Sequence, residues 1–136
     1  MSFFHVLGIA GSAMGAQMAR MNTVSSNLAN AGVAASSPEQ AYKAKVPVFR
    51  TVFDHASEHY RAGVKVEGIE YSRKPNDRRF EPSNPLADEN GYIYMSNVNS
   101  IEQMVDMTIA SRSYQSNVEV INTSKKLVLS TLRLGQ

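Results

Sequence analysis

The first 38 residues of this 136-residue chain contain one charged side chain, Arg20, and no other feature of the sequence limits its fold as much. A helix standing against water keeps charges on its outer face. A segment built instead from Ala, Ser, Asn, Gly and Met is suited to being covered on several sides. The charge lies elsewhere: residues 39 to 97 carry 18 charged side chains and residues 98 to 136 carry seven. With 43% apolar and 19% charged residues the chain falls in the globular range, at about the length of one domain.

This uncharged segment reads neither as a membrane span nor as a secretory signal. His5, Ser12 and Gln17 interrupt its apolar run from Phe3 to Ala19 and three glycines dilute it, whereas a span requires roughly 20 predominantly apolar residues. A secretory signal requires a basic stretch ahead of the apolar core, and here Arg20 follows it. A chain like this leaving the cytoplasm needs a route independent of that signal. The net charge of +2 supplies no dense basic face for nucleic acid. The absence of cysteine excludes disulfides, thiolate nucleophiles and Cys-ligated metals.

Periodicity predicts a first helix from Phe3 to Asn30, about 42 Å long. Leu7, Met14, Met21 and Leu28 recur every seven residues, and Ala10, Met18 and Val24 thicken the stripe. Gly8, Gly11 and Gly15 also follow helical spacing. Each costs about 0.5 to 1 kcal/mol against alanine in a helix interior, a cost that close approach of a neighbouring backbone would offset. Gly8 and Gly11 do not form a phosphate loop, since no strand precedes them and no Gly-Lys-Ser/Thr follows.

A second helix of about 35 residues is predicted near the other end. Asn99 with Glu102 three residues on resembles a capping box, with Asn97 as a rival cap. Met104, Met107, Ser111, Tyr114, Val118, Ile121, Lys125, Val128 and Leu132 then follow steps of three and four, and Gly135 is the stop signal. The Lys125 stem can pack while its ammonium reaches water. The methionines read as core, and no cofactor is expected.

The middle of the chain is β-prone. Val46 to Phe53 forms one candidate strand, with Pro47 marking an edge; Val64 to Tyr71 forms a second, whose alternation changes phase at Gly68 as a bulge would. Tyr92 to Tyr94 marks a third, after a turn at Asp88 to Gly91 whose glycine comes too early for an EF-hand loop. Residues 31 to 38 and 75 to 85 are loop-like, rich in Ser, Ala, Asn and Pro.

One string carries a catalytic alternative. His55, Glu58 and His59 spell the inverted zinc-protease motif, in which two histidines one helical turn apart hold the metal and the glutamate activates its water. That chemistry needs a long helix and a third ligand. The string lies between two β-prone segments, so a solvated hairpin loop is the simpler reading and a small zinc hydrolase the lesser alternative. His5, alone near the N-terminus, reads as a partly exposed polar residue, and no nucleophile-base arrangement stands out.

The expected architecture is mainly α with a small β region. The N- and C-terminal helices form an antiparallel coiled-coil-like pair in an elongated molecule, with a short β-hairpin and irregular middle. Residues 1–34 and 97–136 together make a helical domain, and residues 35–96 the middle segment. A pair of helices buries one stripe of each and leaves most of the uncharged first helix wet. Such a chain is marginal alone, and neighbouring copies are expected to complete its core.

Several stretches carry a resemblance. Met21-Asn22 followed by Ser25-Ser26-Asn27-Leu28-Ala29-Asn30-Ala31 resembles the N-terminal signature of the flagellar rod, hook and hook-associated axial proteins. Within that family, Tyr42 to Lys45, Asn84 to Tyr92, Asn97 to Asn99, Glu102 to Met107 and Ala110 to Val120 look like those of the proximal-rod subunits, and the likeness extends to Gly135. Thr108-Ile109 departs from the usual order of an apolar residue and Ser; residues 54–76 correspond to the family's variable region, and no role is carried onto them.

The resemblance implies a non-enzymatic subunit of a helical tube that transmits motor torque through the periplasm. It implies export by the flagellar type III apparatus without a cleaved signal peptide. The implied partners are further copies, other rod proteins, and the membrane-embedded ring with its junction protein; neither nucleic acid nor a small-molecule substrate is implied. Stiffness then requires continuous packing between long helices. The seam candidates are Leu7, Met14, Met21 and Leu28 on the first helix and Met107, Tyr114, Val118, Ile121, Val128 and Leu132 on the second. Asn22, Asn27 and Asn30 either hydrogen-bond at the end of the first helix and across to neighbours or face solvent.

Overall fold

The computed structural model describes residues 3–54 and 61–134. About half of the chain is helical, in α1 (Phe3–Ala29) and α2 (Ser100–Leu134). Between them, among the described residues, lie five strands, β1 (Ala34–Ala35), β2 (Lys45–Asp54), β3 (Arg61–Tyr71), β4 (Arg78–Phe80) and β5 (Tyr92–Met95). All of the strand pairings are antiparallel.

The helix boundaries follow from local hydrogen bonding. No proline interrupts α1, and it ends where the Asn30 and Ala31 amides turn back on the Asn27 and Leu28 carbonyls. There the Asn30 side chain donates to the Ser26 carbonyl at 2.8 Å, satisfying an acceptor that the helix leaves free. At the start of α2, Asn99 Oδ1 accepts from the amides of Ile101 at 3.0 Å and Glu102 at 3.3 Å, which makes Asn99 the cap. Asn97, the rival cap, is used elsewhere: it accepts from the Ala44 amide at 2.6 Å and donates to the Lys74 carbonyl at 2.7 Å. The Gly135 stop signal lies outside the described residues.

The strands form two sheets. In the β2–β3 hairpin Val48 opposes Gly68 while Phe49 opposes Val66, so Glu67 is the extra residue of a bulge beside Gly68, where the alternation changes phase. The exposed Arg50–Glu67 ion pair at 3.5 Å adds little. The second sheet has the order β1-β5-β4 and buries Ile93 at its centre, 2% exposed. Here the structure corrects the sequence reading, since β1 and β4 lie in segments expected to be loops. Strands of two and three residues carry too little alternation to be read, and they exist because both edges of β5 offer them partners.

The turn before β5 is as expected. Gly91 has φ +79°, and a Cβ there would fall 2.9 Å from the Phe80 ring, so both conformation and space require glycine. Asp88 Oδ1 accepts from the amides of Asn90 and Tyr92, each at 2.9 Å, and Oδ2 accepts from the Tyr94 hydroxyl at 3.0 Å. These bonds, the Tyr92 amide first, hold the Asp88 carboxyl below its ordinary pKa, and the same contact raises that of Tyr94. A carboxylate depressed in the folded state contributes stability above its unfolded pKa, and that contribution is lost as pH falls through the folded value. The Asn90 and Tyr92 amide resonances are therefore expected to shift together below about pH 4, and in Asp88→Asn to lose that dependence.

α1 is the hub of the fold. It packs on α2, β2 and β3, whereas α2 packs on α1 and on no other helix or strand among the described residues. Two faces of α1 are thus covered, in keeping with its lack of charge. Its most buried residues are small or polar: Ala10, Ala16, Thr23, Val24 and Asn27. Arg20 lies 5.7 Å above the Phe49 ring, so even this charge sits on the hairpin.

Candidate functional site

Two features bear on function: a polar joint that fixes α1, β2 and α2 to one another within the subunit, and the helix faces that this joint leaves outward for a partner. The joint is centred on Asn27, 1% exposed in the last turns of α1. Its Oδ1 accepts from the Lys45 amide at 2.8 Å and the Tyr42 hydroxyl at 3.0 Å. Its Nδ2 donates to the Lys45 carbonyl and to Gln103 Oε1, both at 2.8 Å. Two donors and two acceptors are therefore all engaged, the full capacity of a side-chain amide. Asn27 holds the backbone of the first β2 residue as a strand neighbour would, and grips the first turn of α2 with the same amide.

Two further asparagines extend this pinning. Asn76 donates to the Tyr42 carbonyl at 3.0 Å and the Met95 carbonyl at 2.8 Å, and Asn97 joins Ala44 to Lys74. Sequence reasoning singled out Asn27 and noted Tyr42 to Lys45 and Glu102 to Met107 only as family-like stretches, giving Tyr42, Lys45, Gln103 and Asn76 no role in the fold. Their role depends on backbone groups distant in the chain, which no local pattern signals. Asn22 is exposed, and Asn30 serves the helix end as described.

The seam candidates fall on intermediate ground. Leu7, Met14, Met21 and Leu28 on α1 are half-buried, as are Met107, Tyr114, Val118, Ile121 and Val128 on α2. Leu132 is exposed. The deepest point of α2 is Ala110, with no exposed surface. Outward on α1 lies a stripe of Gly8, Gly11, Gly15, Met18, Asn22, Ser25 and Ala29, in steps of three and four and without a charge. Outward on the first turns of α2 lie Ile101, Met104, Val105 and Ile109, each at least 50% exposed. Large aliphatic residues left wet in this density on one helix mark an interaction surface.

His55, Glu58 and His59 lie outside the described residues, and among the described residues no group of three His, Cys, Asp or Glu side chains is arranged to hold a metal ion. Among the described residues no helix is long and apolar enough to cross a membrane.

Comparison with known proteins gives a consistent answer along the whole chain. Residues 7–34 match the family described as flagella basal body rod protein, and residues 89–134 match the flagellar basal body rod FlgEFG protein C-terminal family. The chain is 46% identical over 136 residues to the flagellar basal-body rod protein FlgC of Salmonella typhimurium, covering all of both chains. It is similar to the FlgC proteins of Escherichia coli O157:H7 and Yersinia enterocolitica at the same identity and coverage.

Proposed function

The chain belongs to the flagellar basal-body rod protein FlgC family and is a structural subunit of the flagellar basal-body rod, and from that premise we propose how its fold serves the rod. α1 and α2 run antiparallel and, as residues 1–34 and 97–136, form the inner layer of a helical tube, with residues 35–96 on the outside. The observation that carries this reading is the Asn27–Gln103 hydrogen bond, which joins the end of α1 to the first turn of α2 while the two helices pack along each other. Two helices that meet where one ends and the other begins return the chain to its starting end.

Torque passes through such a tube only as far as its packing is continuous, because close-packed interiors resist deformation. Leu7, Met14, Met21 and Leu28, with Met107, Tyr114, Val118, Ile121, Val128 and Leu132, supply the aliphatic and aromatic surface for this. In this reading the partners are further copies, other rod proteins and the membrane-embedded ring with its junction protein. The subunit spans the periplasmic part of the basal body after delivery by the flagellar export apparatus without a cleaved signal, and no catalytic step is involved.

The double substitution Val118→Ala with Ile121→Ala tests the reading. Both residues are half-buried, and truncating the pair is expected to cost about 2 to 4 kcal/mol of packing and to abolish swimming. Swarm diameter on soft agar, with subunit abundance checked, reads the outcome. Normal swimming at normal abundance would sink the seam.

A further inference from the structure

Asn90 is followed by Gly91, and every other asparagine of the chain precedes a residue that carries a side chain. The dipeptide matters because a glycine nitrogen has no Cβ beside it to shield it from attack or to hinder its approach. Asn90 is exposed, and among the described residues its hydrogen bond runs from the backbone amide, not from the side chain. Its Cγ is thus an open electrophile next to an unhindered nucleophile.

We infer that Asn90 is a site of self-modification, converted by the Gly91 nitrogen in the unfolded chain and protected by the turn once β5 is in place. The Gly91 nitrogen gives up its proton to hydroxide, and its electron pair forms a bond to Asn90 Cγ. The side-chain nitrogen takes a proton from water and leaves as ammonia, closing a cyclic imide. Water then opens the ring. Cleavage of the nitrogen from Cγ gives aspartate, and cleavage from the backbone carbonyl carbon gives isoaspartate, in which the chain runs through the former side chain.

The folded turn blocks the first step. The Gly91 N–H donates to the Asp88 carbonyl at 2.9 Å, so the proton that must leave is held. That bond, with no positive φ at Asn90, makes residues 88–91 a type I turn, in which ψ at Asn90 is about 0°. Ring closure requires a large change in that ψ, which parts the Gly91 nitrogen from Asp88. Asp88 Oδ1 resists the change, because it holds the amides on either side of Gly91, those of Asn90 and Tyr92, each at 2.9 Å.

The product matters for the fold. Isoaspartate adds a backbone carbon between the Asn90 and Tyr92 amides, so one carboxylate oxygen no longer serves both. β5 starts at Tyr92 and buries Ile93. A chain modified while unfolded therefore loses the turn that seats β5, whereas a folded chain is spared. The inference goes beyond the rod reading and stands whether or not the subunit enters a rod.

The isolated full-length chain, held at mildly alkaline pH in buffer or in guanidinium chloride, provides the test. Residue 90 is followed by mass spectrometry with fragmentation that separates aspartate from isoaspartate. Conversion is expected in denaturant, and on the order of tenfold slower in buffer, where it awaits opening of the turn. Asp88→Ala should raise the rate in buffer and leave the rate in denaturant unchanged. Gly91→Ala, read in denaturant where folding plays no part, should slow conversion. Wild-type chain aged in denaturant should lose recovery of β5 amide protection on refolding, in step with isoaspartate formation, and Asn90→Gln, which closes a larger ring less readily, should keep it. Equal rates in buffer and denaturant would overturn protection by the turn. Asn90 unconverted in denaturant, or indifferent to Gly91→Ala, would overturn the site, and full recovery of isoaspartate-containing chain would overturn its consequence.

Discussion

Replacing Asn27 by alanine is expected to destabilise the subunit by about 3 to 4 kcal/mol and to uncouple the β2–β3 hairpin from the helix pair. The side chain is 1% exposed and makes four hydrogen bonds to the Lys45 amide and carbonyl, the Tyr42 hydroxyl and Gln103. A net hydrogen bond is worth about 0.5 to 1.5 kcal/mol, and truncation also strands partners whose desolvation is no longer compensated. The Lys45 amide is the informative probe. Its hydrogen exchange should accelerate along with the loss of global stability measured by urea denaturation. Asn27→Asp should fare no better, because the carboxylate keeps the acceptors, loses both donations and faces the Lys45 carbonyl and Gln103 Oε1. A wild-type denaturation midpoint for either variant would mean that the joint is not where the subunit is held together.

The second large effect is expected at Ala110. It has no exposed surface, and it lies on a helix whose only packed element, among the described residues, is α1. Leucine there has no space, and overpacking of this kind costs about 1 to 3 kcal/mol, more when two helices must part to accommodate it. Ala110→Leu should therefore lower the denaturation midpoint and prevent incorporation into rods. Ile109→Ala, one residue away on the exposed face, serves as the control. In the isolated chain it should be close to neutral, since alanine is the better helix former and little burial is lost, yet it should impair assembly. Equal effects of the two substitutions on the isolated chain would contradict the division of α2 into an inner and an outer face.

The gross layout of the molecule was legible in the amino-acid sequence, and the reasons are local. The end of α1, the start of α2 with its Asn99 cap, the Gly91 turn and the bulge beside Gly68 each depend on a few neighbouring residues whose chemistry suits one backbone arrangement. β1 and β4 were not legible, because Ala34–Ala35 and Arg78–Phe80 are strands only by virtue of the edges that β5 presents.

The interior of α1 was legible in kind more than in detail. Its lack of charge anticipated cover on several sides, and α2 with the hairpin provides it. The heptad of Leu7, Met14, Met21 and Leu28 drew attention by size, whereas the deepest positions went to Ala10, Ala16, Thr23, Val24 and Asn27. Where two elements press on one helix, small residues permit the closest approach, and a hydrophobicity pattern does not register them. Asn27 stood out from the sequence only as a residue of uncertain use. Its use is set by backbone groups at Lys45 and a side chain at Gln103, 18 and 76 residues away.

These faces and the joint make one physical claim: the subunit holds itself together around Asn27, and the outward faces of its two helices become dry only against other subunits. Hydrogen exchange compared between the isolated chain at micromolar concentration and the same chain in purified basal bodies tests it most directly. The account predicts protected amides at Lys45 and in β5 in both samples, with the first half of α1 and the last third of α2 exchanging freely in isolation and protected in the rod. Equal protection of those helix ends in the dilute isolated chain would contradict it.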